Sequence, residues 1–478
     1  MLKKFAKAVK LMSARATDDP FSWTFQWYMH YVRGDSSKET ELAKLPPERR
    51  ALASEVWNTC QAHGTNALED CFLPWHRIYL YYFERIVRNV LDDTSFTMPY
   101  WNYTDSTQRV LPAAFRLPSS PLYRKHRKAS VNHGHPLDEG QGTPSPLNLG
   151  CLDQENYLPT GGITQGFCLN LDSGLHASMH VLIGDRQGMG DITWAANDPI
   201  FWLHHANVDR LWASWNAGHD NPDNDAWRNR QFAFADEKGV RVTTRIGDFA
   251  DIAALGYIYD RLEPVPVAMA EVTAGGAALS RAAPVGAAPP SAAAPTLGEK
   301  AIATAAPPSN MVASASGPVS VGAVPVQIAL NLPLPALTAP GAVATGAAPS
   351  EQAAPPKVGA ARPKAKAPPP EATARPPSAR IYLVIRNLQA RAQPGVLYNV
   401  YLDVGSGTAK KSSRLGTINF FDAGHMAGMM SQKFVSFDVT GLVDGNVSTK
   451  EIGVTIAPVG KPASGVEPVI GDITLASG

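Results

Sequence analysis

The sequence predicts a mainly α domain with a four-helix-bundle core, followed by a C-terminal antiparallel β-sandwich-like domain. Up to about residue 262, aromatic, aliphatic and histidine residues recur at helical spacing, and this part holds every tryptophan and every histidine except His425. After Ser378, apolar and polar residues alternate with the period of a half-buried strand. We therefore expect three segments, residues 1–262, 263–379 and 380–478.

Size and charge limit the kinds of partner. With 478 residues, of which 44% are hydrophobic, the chain is long enough for at least two folded units. A formal net charge of +1 provides no long-range field for nucleic acid or an anionic membrane, so we expect a small-molecule partner instead. No apolar run reaches membrane-span length, and the basic N-terminus lacks a continuous apolar stretch. The expectation is a cytoplasmic or otherwise unexported protein, and an oligomer stays open.

The first two expected helices each carry one histidine on an apolar face. In the first, Trp23, Trp27 and His30 follow helical spacing. In the second, His76 and Leu80 begin an apolar stripe. For His30, a hydrogen-bonded core histidine is the alternative to a functional one.

Two further helices are expected later in this domain. His176 and His180, four residues apart, project from one face of the third. The fourth should run from Pro199 through Trp215, since proline is favourable in a first turn and Asp198 can cap it. Helices with inward histidines favour a bundle with a metal core.

The middle segment differs in composition from its neighbours. Residues 263–379 are rich in proline and alanine, which cannot bury enough side chain to offset the entropy lost on ordering. We expect a mostly mobile linker, with one strand at 321–333 that belongs to the later sheet.

The histidines can form metal-binding faces. His176 and His180 need a third nitrogen from a neighbouring helix, and either His204 or His205 can supply it. Adjacent helical residues point about 100° apart, so only one of the two enters the site easily. Asp209, one turn beyond His205, is expected to accept a hydrogen bond from the second ring nitrogen of a ligand.

The segment Asp198-Pro-Ile-Phe-Trp-Leu-His-His205-Ala-Asn-Val-Asp209 resembles the second copper-site motif of the coupled binuclear (type 3) copper proteins. These are tyrosinases, catechol oxidases, plant polyphenol oxidases and molluscan haemocyanins, and the likeness covers roughly residues 20–262. The resemblance implies that copper is bound by His205, together with His176 and His180. It places His204, Asn207 and Asp209 beside these ligands.

The first copper site is similar to the family pattern with one departure. Phe72 to Glu84 matches the first-site motif and implies His76 as a ligand. The family's middle histidine falls at Ala67 here, and the nearest histidine is His63. Extra residues within 64–70 account for the shift. The resemblance implies His63 and His30 as the other ligands, and so two copper ions per chain.

The four cysteines are too few for a disulfide scaffold. Cys60, Cys71, Cys151 and Cys168 form two local pairs along the sequence, and either free thiols or local bridges are possible. A bridge from Cys60 to Cys71 would close the lengthened loop before His76.

The resemblance implies oxidation of o-diphenols to o-quinones with O2, with o-aminophenols and monophenols as further substrate classes. The alternative is a non-catalytic, haemocyanin-like oxygen-binding protein. Ala177 stands where monophenol-active relatives often carry asparagine, and Val181 adds an apolar rim, so the pattern favours diphenols. Ile192 falls at the family's gate position, although an ordinary buried loop residue is an equal interpretation.

The C-terminal region is similar to the domain that follows the copper domain in plant-type polyphenol oxidases. Arg414-Leu-Gly-Thr-Ile-Asn-Phe-Phe and Phe434-Val-Ser-Phe-Asp-Val carry this likeness. In relatives such a domain can shield the active site with one side chain over the coppers. Four bulky residues near a turn are candidates for that side chain: Phe420, Phe421, His425 and Met426.

Overall fold

The computed structural model describes residues 1–61, 70–264, 311–331, 380–421, 423, 433–443 and 451–478. The N-terminal part is mainly helical. Its helices are α1 (Leu2–Ser13), α2 (Trp23–His30), α3 (Lys38–Ala43), α4 (Pro47–Val56), α5 (Phe72–Leu91), α6 (Ala113–Arg116), α7 (Ala129–His133), α8 (Gly166–Leu171), α9 (Ala177–Ile183), α10 (Ile192–Ala195), α11 (Pro199–Asn216) and α12 (Asp225–Arg228).

Helix α11 lies at the centre of this part. All its residues from Pro199 to Trp215 are buried, as expected for a helix that is apolar on most of its circumference. The side chain of Asp198 accepts a hydrogen bond from the Ile200 amide at 3.0 Å and caps the first turn. The predicted start of this helix is confirmed, and its end differs from the prediction by one residue.

The helix expected across His176 and His180 contains an irregular turn. Residues Asp172–His176 form a π-helical turn between α8 and α9. Such wide turns insert an extra residue and occur often at functional sites. From His176 onward the backbone is α-helical, so both imidazoles remain on one face.

A hairpin that the sequence reasoning missed completes the helical part. Strands β1 (Gln231–Ala235) and β2 (Arg241–Arg245) pair antiparallel. The signal was available, because Phe232 and Phe234 alternate with small residues and the pair precedes a turn that contains Gly239.

The remaining strands form two antiparallel sheets, which we call the β unit. They are β3 (Met311–Ser314), β4 (Val319–Ser320), β5 (Val326–Leu330), β6 (Ile381–Gln389), β7 (Tyr398–Val404), β8 (Lys411–Ile418), β9 (Phe434–Asp438), β10 (Ile452–Pro458) and β11 (Val469–Ser477). One sheet has the order β5-β10-β7-β8, and the other β3-β11-β6-β9 with β4 beside β11. Leu383 and Ile385 of β6 share a buried core with Val400 and Leu402 of β7.

The predicted fold class, a helical domain followed by a β-sandwich, is confirmed. The strand expected within 321–333 is β5, which pairs with β10. Two further strands, β3 and β4, lie in the segment expected to be mostly mobile. Both form strands because each pairs antiparallel with β11. The exact segment boundaries stay a prediction.

The β unit packs against the helical part through polar and apolar contacts. Lys128 donates to the Gly395 carbonyl at 2.9 Å, and Arg414 donates to the Pro144 carbonyl at 2.6 Å. Phe421 belongs to the same buried cluster as the helical core. The β unit therefore reaches into the helical part.

Candidate metal centre

Two groups of buried side chains with metal-binding atoms meet in the helical part. Within each group the candidate ligand atoms lie within 4.8 Å of one another. The first group is His30, Cys60 and His76, and the second is His176, His180, His204 and His205. The rings of His76 and His205 stack across the two groups with centroids 4.1 Å apart. Metal ions in the two groups would therefore be neighbours.

Backbone carbonyls set the proton positions on three imidazoles. The Nδ1 atoms of His76 and His180 lie 2.8 Å from the carbonyl oxygens of Phe72 and Met189. The Nδ1 atom of His176 lies 3.1 Å from the Asp172 carbonyl oxygen. Because a carbonyl only accepts, each Nδ1 carries the proton, and Nε2 of the neutral ring keeps a lone pair. This is the form in which histidine binds a metal.

The arrangement of these lone pairs fits a cation. The Nε2 atoms of His176 and His180 lie 3.1 Å apart, and two lone pairs at that distance repel unless a positive charge lies close to both. Both ring nitrogens of His205 are buried and have no hydrogen-bond partner among the described residues. An unsatisfied buried polar group costs about 1–3 kcal/mol. A metal ion would satisfy the Nε2 atoms of His176 and His180 and one ring nitrogen of His205.

His204 and His205 differ in their surroundings. Nδ1 of His204 lies 2.8 Å from the Tyr103 hydroxyl, so one of its nitrogens is already engaged. Burial, followed by the neighbouring histidines, holds the pKa of both imidazoles well below the usual range. Both are therefore neutral, as metal ligands must be.

The first group contains a thiol that sequence reasoning did not place there. Sγ of Cys60 lies 3.8 Å from Nε2 of His76. His30 is buried beside them, with its ring centroid 5.7 Å from that of His76. The available signal was the position of Cys60 close before His63. His63 itself lies outside the described residues.

Comparison with known proteins agrees with this geometry. Residues 20–151 and 127–218 match the model of the common central domain of tyrosinase, and residues 220–273 match the polyphenol oxidase middle domain. The chain carries a tyrosinase-family central domain.

The relatives include bacterial and plant proteins. A tyrosinase of Hahella sp. (strain CCB-MM4) is 34% identical over 300 residues, which are 55% of this chain and 61% of the relative. Polyphenol oxidase A1 of Vicia faba is 31% identical and covers 55% of this chain and 46% of the relative. The chain thus spans about half to three fifths of the length of these curated relatives.

Solved structures in the tyrosinase family share the whole fold. Latent apple tyrosinase aligns over 99% of this chain and 94% of its own, with a TM-score of 0.54 and 20% identity. A latent aurone synthase aligns over 100% and 86%, with a TM-score of 0.59 and 18% identity. Each combines both parts of the fold in one chain.

The expected location is contradicted by the tyrosinase-family relatives. The polyphenol oxidases of Vicia faba and Malus domestica are named as chloroplastic, which conflicts with a cytoplasmic protein. The expectation depended on the absence of a recognisable leader, and such an absence does not determine a compartment. Among the described residues, no helix has both the length and the apolar character needed to cross a bilayer.

The expected role of Asp209 is wrong. Among the described residues its carboxylate bonds to no histidine but accepts from Arg77 Nε at 2.5 Å and from the hydroxyls of Tyr257 and Tyr259, each at 2.6 Å. The physical reason is charge, since a buried carboxylate gains more from the Arg77 guanidinium than from a neutral imidazole. Asn207 accepts a hydrogen bond from Arg210 Nε at 2.9 Å.

Of the two alternatives left open for the cysteines, the structure shows no bridge between Cys60 and Cys71. All four cysteines are buried, and none of them forms a disulfide. Cys71 Sγ instead accepts from the Arg230 guanidinium at 2.7 Å. Burial raises the pKa of the Cys151 and Cys168 thiols to about 12.

The structure also places the expected pocket residues. Ala177 and Val181 are buried on α9, and Ile192 is buried as the first residue of α10. Ile192 is therefore a buried helical residue, where the alternative interpretation placed it in a loop. A role for these three side chains in substrate choice stays a prediction.

Of the four candidate shielding residues, Phe421 lies at the histidines. Its ring stacks on His180 with centroids 4.3 Å apart and lies 6.1 Å from His176. Phe420 points into the β-unit core against Tyr398. His425 and Met426 lie outside the described residues.

Proposed function

We propose that this chain is a copper-dependent oxidase that converts o-diphenols to o-quinones with O2. The observation that carries the proposal is the second histidine group. There, two proton-free Nε2 atoms lie 3.1 Å apart beside His205, whose ring nitrogens bond to nothing in the part of the chain that the structure describes. This donor set suits copper, because imidazole nitrogens accommodate both Cu(I) and Cu(II). The relatives named tyrosinase and polyphenol oxidase support the same reading.

Two copper ions per chain are proposed, each bound by three histidines. The first set is His30, His63 and His76, and the second is His176, His180 and His205. We prefer His205 to His204 because the Asp198–Asp209 motif assigns His205 by its resemblance to the family, and because the His205 ring stacks on His76 of the first group. Copper bound in this way would supply the redox couple that activates O2.

The protein would orient the ligands and exclude water. The carbonyls of Phe72, Asp172 and Met189 hold three imidazoles by their Nδ1 protons, which keeps the ligand atoms fixed. Phe72 and Phe201 cover the rings from the side, with Phe201 4.2 Å from the His205 ring. An apolar aromatic wall favours a phenolic ring over water.

The substrate class is proposed to be o-diphenols, with o-aminophenols as close analogues. A monophenol must lose its proton before it can bind a metal, and this step needs a polar group beside the site. Ala177 and Val181 provide none. We therefore expect weaker activity toward monophenols.

The β unit is proposed to keep the enzyme closed. A phenol cannot occupy the face of His180 while the Phe421 ring stacks on it. The same contact favours the second candidate function, an oxygen-binding protein, since O2 is small enough to pass where a phenol is not. The two functions differ in whether catechol is oxidised once Phe421 is removed.

Metal analysis tests the copper site. His180→Ala should lower copper toward one ion per chain, because it removes one of three ligands in the second set. His63→Ala should do the same for the first set. His135→Ala is the matched control, since His135 lies on the surface beside Glu139. Copper loading of His180→Ala equal to that of the control would refute the assignment.

Oxygen uptake with catechol tests the activity and the closure. Phe421→Ala should raise the rate by about tenfold or more, because it removes the ring that covers His180. A tenfold rise corresponds to about 1.4 kcal/mol of free energy that the covering ring costs the reaction. Proteolysis between residues 265 and 310, followed by removal of the β unit, should have the same effect. Copper-loaded protein that binds O2 but oxidises no catechol after either change would favour the oxygen-binding alternative.

A further inference from the structure

The π-helical turn that carries His176 is held from outside by the β unit. Nζ of Lys433 lies 2.7 Å from Oδ2 of Asp172, and both side chains are largely buried. Nδ2 of Asn419 donates to the Ser173 carbonyl at 2.8 Å. Two polar side chains of the β unit thus contact the first two residues of this turn.

Asp172 connects this contact to the metal ligand. Its carbonyl oxygen and its Oδ1 atom both lie 3.1 Å from Nδ1 of His176. One carboxylate therefore faces Lys433 with one oxygen and His176 with the other. Because the Asp172 side chain is only 4% exposed, little water reaches its carboxylate, and the Lys433 ammonium compensates its charge instead.

Loss of the lysine would disturb His176 without touching it. A buried carboxylate that loses a cationic partner turns toward water or shifts the backbone, since removing one member of a buried ion pair is strongly unfavourable. Either movement shifts the Asp172 carbonyl, which accepts the Nδ1 proton and so orients the His176 ring. This effect is separate from the steric contact of Phe421, which acts on the rings directly.

We propose that Lys433 is a positioning residue for the second metal site, acting through Asp172, so that seating of the β unit strengthens metal binding by His176 as well as covering the site. The inference rests on the proposed copper-binding function. Release of the β unit then uncovers the site and weakens its hold on copper at the same time.

Copper release to a chelator tests this coupling in the full chain. Lys433→Met should release copper about tenfold faster than the wild type, the lower end of the effect of losing a group that orients a metal ligand. The double variant Asp172→Asn/Lys433→Met should recover most of the loss, because asparagine keeps its backbone carbonyl toward His176 and removes the buried negative charge. Hydrogen exchange of residues 172–176 in the metal-free chain should rise in Lys433→Met and fall again in the double variant.

Arg414→Ala is the matched control. It removes a cation from the same interface, where Arg414 contacts the carbonyls of Pro144 and Gln141 and not the π-helical turn. Its copper release should equal that of the wild type. Wild-type release from Lys433→Met, or equal acceleration in both variants, would overturn the coupling while leaving the copper site intact. A wild-type chain that binds no copper would instead overturn the proposed function itself, and the coupling with it.

Discussion

Replacing Arg77 by methionine should strongly destabilise the helical part. The guanidinium is buried, donates to Asp209 at 2.5 Å and to the carbonyls of Ala250 and Phe249 at 2.9 and 3.2 Å, and lies 3.5 Å from the centroid of the Trp212 ring. Methionine preserves the packing of the stem but none of these polar contacts.

The magnitude follows from what the substitution leaves behind. Removing one partner of a buried ion pair costs about 3–5 kcal/mol, and the lost contact over the aromatic ring adds up to about 2 kcal/mol. The hydroxyls of Tyr257 and Tyr259 still donate to the Asp209 carboxylate, so we expect a value near the lower end, about 4 kcal/mol. For a domain of this size, 1 kcal/mol corresponds to about 2–4 °C, and the melting temperature should fall by roughly 8–16 °C.

Thermal unfolding followed by tryptophan fluorescence measures this loss. Arg85→Met is the matched control on the same helix, because Arg85 pairs with Glu237 at a partly exposed site. An exposed pair contributes about 0–1 kcal/mol, so the control should melt within about 4 °C of the wild type. Equal melting temperatures for the two variants would refute the reasoning that burial gives the Arg77 pair its importance.

Two further predictions concern pH and backbone packing. Burial lowers the pKa of Lys128 from 10.5 to about 8, so between these values the unfolded chain holds a proton that the folded chain has lost. The free energy of unfolding therefore rises with pH above 8 through this group. In urea titrations, the stability of the wild type relative to Lys128→Met should increase between pH 7.5 and 9.5. A constant difference over this range would contradict the prediction. Gly184→Ala would place a Cβ 2.4 Å from the Met189 nitrogen, and since the Met189 carbonyl holds His180, copper content should fall along with the melting temperature. If Gly184→Ala lowered the melting temperature but left the copper content unchanged, the expected link between this backbone packing and copper binding by His180 would be wrong.

Local sequence patterns predicted most of the scaffold of the site. The start of α11 was predictable because a capping aspartate and a first-turn proline act over neighbouring residues only. The common face of His176 and His180 followed from their spacing of four. The π-helical turn before them was not predicted, and its first two residues, Asp172 and Ser173, contact a distant part of the chain that local patterns do not show.

The errors concerned side chains whose partners come from far away in sequence. Asp209 was expected to hold a histidine, but it binds Arg77, 132 positions earlier in the chain. Cys60 was considered for a bridge to Cys71, yet its thiol lies beside His76. Spacing along a helix shows which direction a side chain faces, but it does not show which distant group arrives there.

The sequence by itself determined that this chain has a helical, histidine-lined metal site followed by a β-sandwich, because periodicity and capping are local properties. It also identified four candidates for a shielding side chain, without ranking them. Only the tertiary structure decided that Phe421 stacks on His180 and that Lys433 pairs with Asp172. Both contacts join residues more than 200 positions apart, and the packing of the β unit against the helical part alone brings them together.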